Sequence, residues 1–295
     1  VDVEAKETVA SSDMWGAAVD PVDPNIIYQT GQSGLAGYAF LKGDVNSSET
    51  LVSADPSNIL AGILPRSVAV QVEGDQKYAY FTYGNSTIAK VAMDPVTNDL
   101  TGPLNVITSF ATTNRYGRFV TFDDAGNLYW VSRQLGTTGV DGIVLRWDAA
   151  TIAGATPSLT EANASWSVTP PPDTTNLSFL AIPPSGDVYL MAPGGTARGV
   201  YFIENSATAT VTKALALADR VISFDAVGTN NAALTPSTIY SGVRSDPAGN
   251  LLVFDRSNEQ NHLFAPPADS SVAITAPTSQ TITVEGSNVQ DWSMY

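Results

Sequence analysis

The 295-residue chain has no cysteine and a single histidine, His262. No disulfide can staple the fold, and at this length none is required. One imidazole without a thiolate cannot furnish the usual zinc ligand set. A cysteine nucleophile is excluded. A serine triad would have to use His262, and no G-x-S-x-G elbow accompanies it. Charge is also sparse: Asp, Glu, Lys and Arg make up 15% of the chain, with 29 acidic residues against 14 basic ones and a formal net charge of −15. That field repels phosphate backbones and anionic bilayers, so nucleic acid is not an expected partner. No apolar run approaches the ~18 residues of a membrane span. Gly194-Gly195 precedes no helical pattern, so no phosphate-binding loop is present.

What the chain does contain is a hairpin repeated five times. A short apolar strand enters a Gly/Pro/Asp/Asn turn, and a strand rich in aromatic and β-branched residues leaves it. The copies span Met14 to Thr30, Ser67 to Tyr83, Gly117 to Ser132, Ser178 to Ala192 and Tyr240 to Asp255. The polar residue before each second strand is Asn25, Gln76, Asn127, Asp187 or Asn250, giving intervals of 51, 51, 60 and 63 residues. A four-stranded propeller blade needs about 40–45 residues, so each interval holds one blade and none holds two. A lone hairpin cannot bury its own apolar face, and copies stacked around an axis can.

The expected fold class is therefore an all-β propeller, a single domain over residues 1–295. Five blades are favoured, or six if the two chain ends build a composite blade. Ring closure is expected from pairing of the chain termini, because an open ring exposes strand edges. Further strands are expected at Gly37 to Lys42, Glu49 to Ala54, Thr87 to Asp94, Leu104 to Ser109, Gly142 to Asp148, Gly199 to Asn205, Thr210 to Ala218, His262 to Pro267 and Ser271 to Pro277. Val221 to Phe224 reads as a strand without a hairpin partner. Thr212 to Arg220 has helix-forming composition but is too short to stand alone.

Propeller ligands sit at one mouth of the central channel, among the loops joining second to third strands. The polar side chains there and beside them are Arg133, Asp141, Asp255, Arg256, Asn258, Glu259 and His262. Trp166, read as lying in a loop, is the best exposed candidate for stacking on a sugar ring, whereas Trp130 and Trp147 belong to strand patterns and to the core. No catalytic or metal-ligating residue is identified. Calcium stays open as a cofactor because oxygen ligands are plentiful. Asp20 to Asn25, Asp94 to Asp99 and Asp123 to Asn127 place carboxylates near turns, but none matches the twelve-residue calcium loop, and Asp, Asn, Pro and Gly suit turns for backbone reasons. Sequons at Asn46, Asn85, Asn163 and Asn176 allow glycosylation without indicating it.

Lys77 to Phe110 resembles a repeat of the lactonase-type propellers, which include 6-phosphogluconolactonases and fungal carboxymuconate-cyclase-like proteins. Asp94, Thr97 and Leu100 match the turn of that repeat, and Asn98 stands where Gly is usual. The likeness covers about a ninth of the chain. The segments DDAGNLYWV and DPAGNLLVF resemble hairpins of NHL and SMP-30/gluconolactonase propellers. The SMP-30 group opens with a metal-binding Glu in an EGPxW segment. The nearest stretch, Trp15 to Pro21, has Trp in that place, so no catalytic residue carries over.

Two classes of function follow. The first is a secreted or cell-surface binding or assembly protein, taking a small molecule or glycan or associating with itself. A periplasmic or lipoprotein-tethered setting also fits the polar start VDVEAKETVASSD. The alternative is a calcium-dependent lactonase- or lyase-like enzyme with its site at the channel mouth, using a carboxylate or His262 as base.

Overall fold

The structure, a computed structural model, describes residues 11–33, 37–47, 51–110, 115–133, 142–154, 156–204, 211–224, 242–255, 260–265 and 279–283. Five antiparallel blades follow one another along the chain as a β-propeller, with almost no helix. Blade one is β1 (Ser11–Val19), β2 (Ile26–Ser33), β3 (Gly37–Asp44) and β4 (Val52–Ser53). Blade two is β5 (Pro65–Glu73), β6 (Gln76–Tyr83), β7 (Thr87–Met93) and β8 (Asn105–Val106). Blade three is β9 (Tyr116–Phe122), β10 (Leu128–Arg133), β11 (Ile143–Trp147) and β12 (Trp166–Thr169), with the one-turn helix α1 (Ala149–Ile152) between its last two strands.

A two-residue ladder, β13 (Thr174–Thr175) with β16 (Gly194–Gly195), flanks blade four. That blade is β14 (Leu180–Ala181), β15 (Val188–Ala192), β17 (Gly199–Ile203) and β19 (Arg220–Ser223). Blade five is β20 (Val243–Ser245), β21 (Leu251–Asp255), β22 (Gln260–Phe264) and β23 (Ser279–Thr283).

Turn chemistry explains why the hairpins form. In the third copy, the backbone N–H and the Nδ2 of Asn127 each donate to one oxygen of Asp123, both at 2.9 Å. Asn250 repeats this on Asp246 at 2.8 and 2.7 Å. The glycine before each Asn sits at positive φ, +79° at Gly126 and +83° at Gly249, where a Cβ is disfavoured. The lactonase-like turn obeys the same rule: Asn98, standing where glycine is usual, has φ +61°.

The apolar clusters lie between neighbouring blades. Tyr28, Phe40, Val68, Val70, Phe81 and Met93 fill the gap from blade one to blade two. Tyr80, Ile88, Phe110, Trp130, Leu145 and Trp147 fill the next. Phe119, Val131, Phe179, Leu190, Val253 and Phe264 belong to the cluster joining blades three, four and five. Alternate residues of β6 serve both neighbours, Phe81 on one side and Tyr80 on the other. Burial on both faces is why the inner strands are apolar without alternation. Each fully buried large side chain contributes about 1.5–3 kcal/mol. Gly16 allows β1 to lie against β5: a Cβ there would stand 2.6 Å from Ser67 Cα.

Several expectations need correction. Val211–Ala214, expected as a strand of the fourth unit, is β18 and pairs in parallel with β12 of blade three. Val221 to Phe224 does have a partner: β19, Arg220–Ser223, pairs with β17 as the fourth strand of blade four. The fourth described strand of blade five is β23, paired with β22; the strand expected at Ser271 to Pro277 lies outside the described residues. Residues 266–278 lie outside the described residues, as do residues 1–10 and 284–295, on which closure through the termini depends. Thr212 to Arg220, too short to stand as a helix, forms none, as expected: β18 is followed by a single 3-10 turn at Leu217–Asp219.

Candidate functional site

The first strands β1, β5, β9, β14 and β20 face the axis, and β5 packs against both β1 and β9. Against the overall acidity, three of the fourteen basic residues lie on these strands, Arg66 on β5, Arg118 on β9 and Arg244 on β20, and Arg133 at the end of β10 pairs with the first residue of β9. They form two groups.

The first group joins blades two and three at the end where β10 runs out. Tyr116 opens β9 and pairs with Arg133. The Arg66 guanidinium lies 3.4 Å from the centroid of the Tyr116 ring, and that of Arg133 lies 4.3 Å from it. Two cations thus share one aromatic platform. Backbone bonds hold the platform: Asn85, in the turn after β6, bridges to Tyr116, and Ser86 N–H donates to Arg115 O at 2.6 Å. Arg66 is 8% exposed, and its Nη1 donates to Gly84 O at 3.3 Å. Burial lowers the Arg66 pKa, the Tyr116 ring opposes the shift, and the like charge of Arg133 adds to it. Beside this group Ser132 is fully buried. Ser132 Oγ and Arg133 Nε are buried without a hydrogen-bond partner among the described residues.

The second group joins blades three, four and five. Arg244 of blade five lies 4.8 Å from the Phe119 ring of blade three and 5.3 Å from Phe179 at the start of blade four. Arg118, 4% exposed, lies 6.0 Å from Phe179, and Phe119 meets Phe179 edge to face at 5.1 Å.

Among the residues singled out from sequence, Arg133 belongs to the first group. Asp141, Arg256, Asn258 and Glu259 lie outside the described residues. Asp255 ends β21, and its side chain is likewise outside the description. Trp166 is not in a loop. It opens β12, is 4% exposed and packs edge to face on Tyr129 at 5.7 Å, so it offers no sugar-stacking face. Blade three recruits it because its outer strand starts at that residue. His262 is fully buried on β22, two residues from the equally buried Phe264, so it belongs to the interior of blade five. Trp130 and Trp147 are core residues with no exposed surface.

Reading the loops alone passed over Arg66, Tyr116, Arg118, Ser132 and Arg244. The signal was present in PRSVAV, YGRFVTF and GVRSD, each with an arginine inside an inner strand that is otherwise apolar or small.

The acidic turns are committed elsewhere. Asp20 accepts from Val22 N–H, Asp23 N–H, Tyr28 OH and Lys77 Nζ. Asp94 accepts from the N–H groups of Val96 and Thr97, and those bonds hold its carboxyl below the usual range. Asp123 is taken up by Asn127 and by Tyr129 OH. Among the described residues no three of His, Cys, Asp and Glu stand close enough together to hold a metal ion. No described helix is long and apolar enough to cross a membrane.

No family model matches the chain, and no curated protein matches it. Solved structures do resemble it. The PQQ-bound form of aldose sugar dehydrogenase from Streptomyces coelicolor superposes with TM-score 0.58 at 14% identity, covering 95% of this chain and 84% of that one. A gluconolactonase from Xanthomonas campestris gives 0.56 at 12% identity, covering 92% and 78%. The calcium-binding protein regucalcin from Agrobacterium tumefaciens gives 0.54 at 11% identity, covering 95% and 80%. At these identities the likeness is one of fold: the chain is a β-propeller built like the gluconolactonase and regucalcin propellers.

Proposed function

We propose that the protein is a ligand-binding propeller that captures a small molecule where Arg66 and Arg133 meet on the Tyr116 ring. The observation that carries this reading is the buried Arg133 Nε, which lacks a hydrogen-bond partner beside the Tyr116 ring. A buried polar group without a partner costs about 1–3 kcal/mol, and a ligand supplies the partner. Thermal unfolding against a panel of small acids, amides, lactones and sugars tests it. A ligand at a hundred times its Kd adds about 2.7 kcal/mol, which raises Tm by about 4 °C for a domain of this size. A panel without effect in the wild type, or with shifts that survive Arg133→Gln, removes the reading. A secreted or cell-surface setting is part of the proposal, motivated by the acidic, charge-poor composition. Recovery of the native protein in the cytosolic fraction would remove that part.

A second reading is a calcium-dependent lactonase- or lyase-like enzyme. Its support is the fold likeness to a gluconolactonase and to calcium-binding regucalcin. The commitment of Asp20, Asp94 and Asp123 to their own surroundings weighs against it. Elemental analysis of untreated protein, with melting after EDTA with and without millimolar calcium, separates the two. Stoichiometric metal and a calcium-dependent rise in Tm favour the enzyme, and neither result leaves the binding protein.

A further inference from the structure

We infer that β18 is a reversible strap: a short strand that blade four lays on the edge of blade three and releases while both blades stay folded, uncovering Trp166.

The length of the connection comes first. β17 and β19 are antiparallel neighbours, paired from Gly199 with Ser223 to Tyr201 with Arg220. A hairpin loop of about two to five residues would join such strands. Sixteen residues, 204–219, stand between them instead, and β18 lies in that excursion. Its release leaves the ladder of β17 with β19 intact. β19 has its own anchors, since Val221 and Ile222 are fully buried.

The attachment to blade three is slight. β18 pairs with β12 through four residues, from Trp166 with Val211 to Thr169 with Ala214, in parallel. The four strands of blade three itself pair antiparallel, and a parallel ladder is slightly less stable per residue. β18 ends its sheet, so among the described strands none holds its other edge. Leu215 anchors it: the side chain is 3% exposed, and its N–H donates to Thr169 O at 2.9 Å. Ala214, Ala216 and Leu217 are exposed. The Lys213–Asp219 pair, at 3.3 Å, lies within the excursion and ties it to neither blade.

The closed form also leaves donors unmet. Tyr129, Arg146 and Trp166 occupy one row across β10, β11 and β12, and the next position in that row is on β18. The rings of Tyr129 and Trp166 meet at 5.7 Å. Trp166 Nε1 and Arg146 Nε are buried without a hydrogen-bond partner among the described residues. A buried donor without a partner favours any state in which water reaches it. Release of the strand beside Trp166 is therefore opposed less than the burial of the ring suggests.

Hydrogen exchange of the full chain under native conditions, read at single N–H groups by NMR, tests this. Leu215 N–H and the Trp166 indole N–H should exchange through a shared local opening. Their protection should be roughly a hundredfold or more below that of the slowest β17 and β19 amides. Thr169→Cys with Ala214→Cys sets a disulfide between register partners in a chain with no other cysteine. Oxidation of that variant should raise protection at Leu215 and at the Trp166 indole about tenfold or more, and reduction should restore wild-type exchange. Leu215→Ala should lower strap protection about tenfold while β17 and β19 keep theirs, and it decides the matter if the disulfide does not close. Leu215 protected as strongly as β17 and β19 overturns the strap. So does opening at Leu215 that leaves the Trp166 indole fully protected, or exchange that is the same with the disulfide closed and reduced.

Discussion

Lys77 Nζ of the second blade lies 2.5 Å from Asp20 Oδ2 of the first, with the Asp20 side chain fully buried and that of Lys77 5% exposed. The same carboxylate oxygen accepts from Tyr28 OH at 2.5 Å, and Lys77 also donates to Asn98 Oδ1 at 2.7 Å. A turn residue of one blade is thus the counter-ion of its neighbour. Removing one partner of a buried pair leaves an uncompensated charge and costs about 3–5 kcal/mol. Lys77→Met should therefore lower stability by that amount in urea unfolding. Adding Asp20→Asn should restore most of the loss, because the two changes are coupled. Additive losses in the double variant would show that the pair does not act as a unit.

Asp20 also gives the protein an acid limit. Burial pushes its carboxyl up, but the bonds from Lys77, Tyr28, Val22 and Asp23 outweigh burial and hold it below the ordinary value. In the unfolded chain an aspartate titrates near ~3.9. The unfolded state binds the proton first, so this contribution is full above ~pH 4 and is lost as pH falls through the lower folded value. Stability measured from pH 6 downwards should fall in that window, and Asp20→Asn should flatten the profile there. An unchanged slope in the variant would assign the acid limit to other carboxylates.

The alkaline limit belongs to tyrosines. Burial raises Tyr28 and Tyr80 far above their ordinary value, reinforced by the carboxylates of Asp20 and Glu73. Burial also pushes Tyr189 and Tyr201 up to about 12. A raised folded pKa gives stability that is complete below the unfolded value near ~10 and disappears as pH rises through the folded ones. Tyrosinate absorbance should show Tyr28, Tyr80, Tyr189 and Tyr201, four of the eleven tyrosines, ionising only at pH well above 10, as the fold is lost. A single titration of all eleven near pH 10 would contradict this packing.

Trp130 reports on the contact between blades two and three. Its Nε1 donates to Thr82 Oγ1 at 3.0 Å, and the ring has no exposed surface. Thr82→Val preserves shape but strands the indole N–H, at a cost of about 1–3 kcal/mol. Gly117→Ala should act at the same place, because its Cβ would come 2.3 Å from Thr82 Oγ1. Denaturant titration followed by tryptophan emission reads both variants. Wild-type stability in both would mean that this contact carries no weight.

The hairpins were legible in the sequence because their causes are local. Asp123 and Asn127, or Asp246 and Asn250, lie four residues apart and bond one another directly, and a glycine at positive φ completes each turn. The candidate site was legible only at Arg133. Arg66 and Tyr116 are 50 positions apart in the chain, and each looks like an ordinary strand residue until blades two and three pack. Trp166 was misread because nothing nearby marks β12, which pairs with β11 across a loop and a one-turn helix.

The sequence by itself determined the repeat, the turns, the propeller class, and the exclusion of zinc and thiol chemistry. Those rest on residue types and short spacings. Tertiary structure alone decided that β18 of the fourth unit joins blade three in parallel, that Asp20 serves Lys77, and that Arg66 and Arg133 meet on the Tyr116 ring. Such pairings close long loops between residues of different blades. Their cost is repaid only when neighbouring blades bury their faces together, so no local pattern announces them.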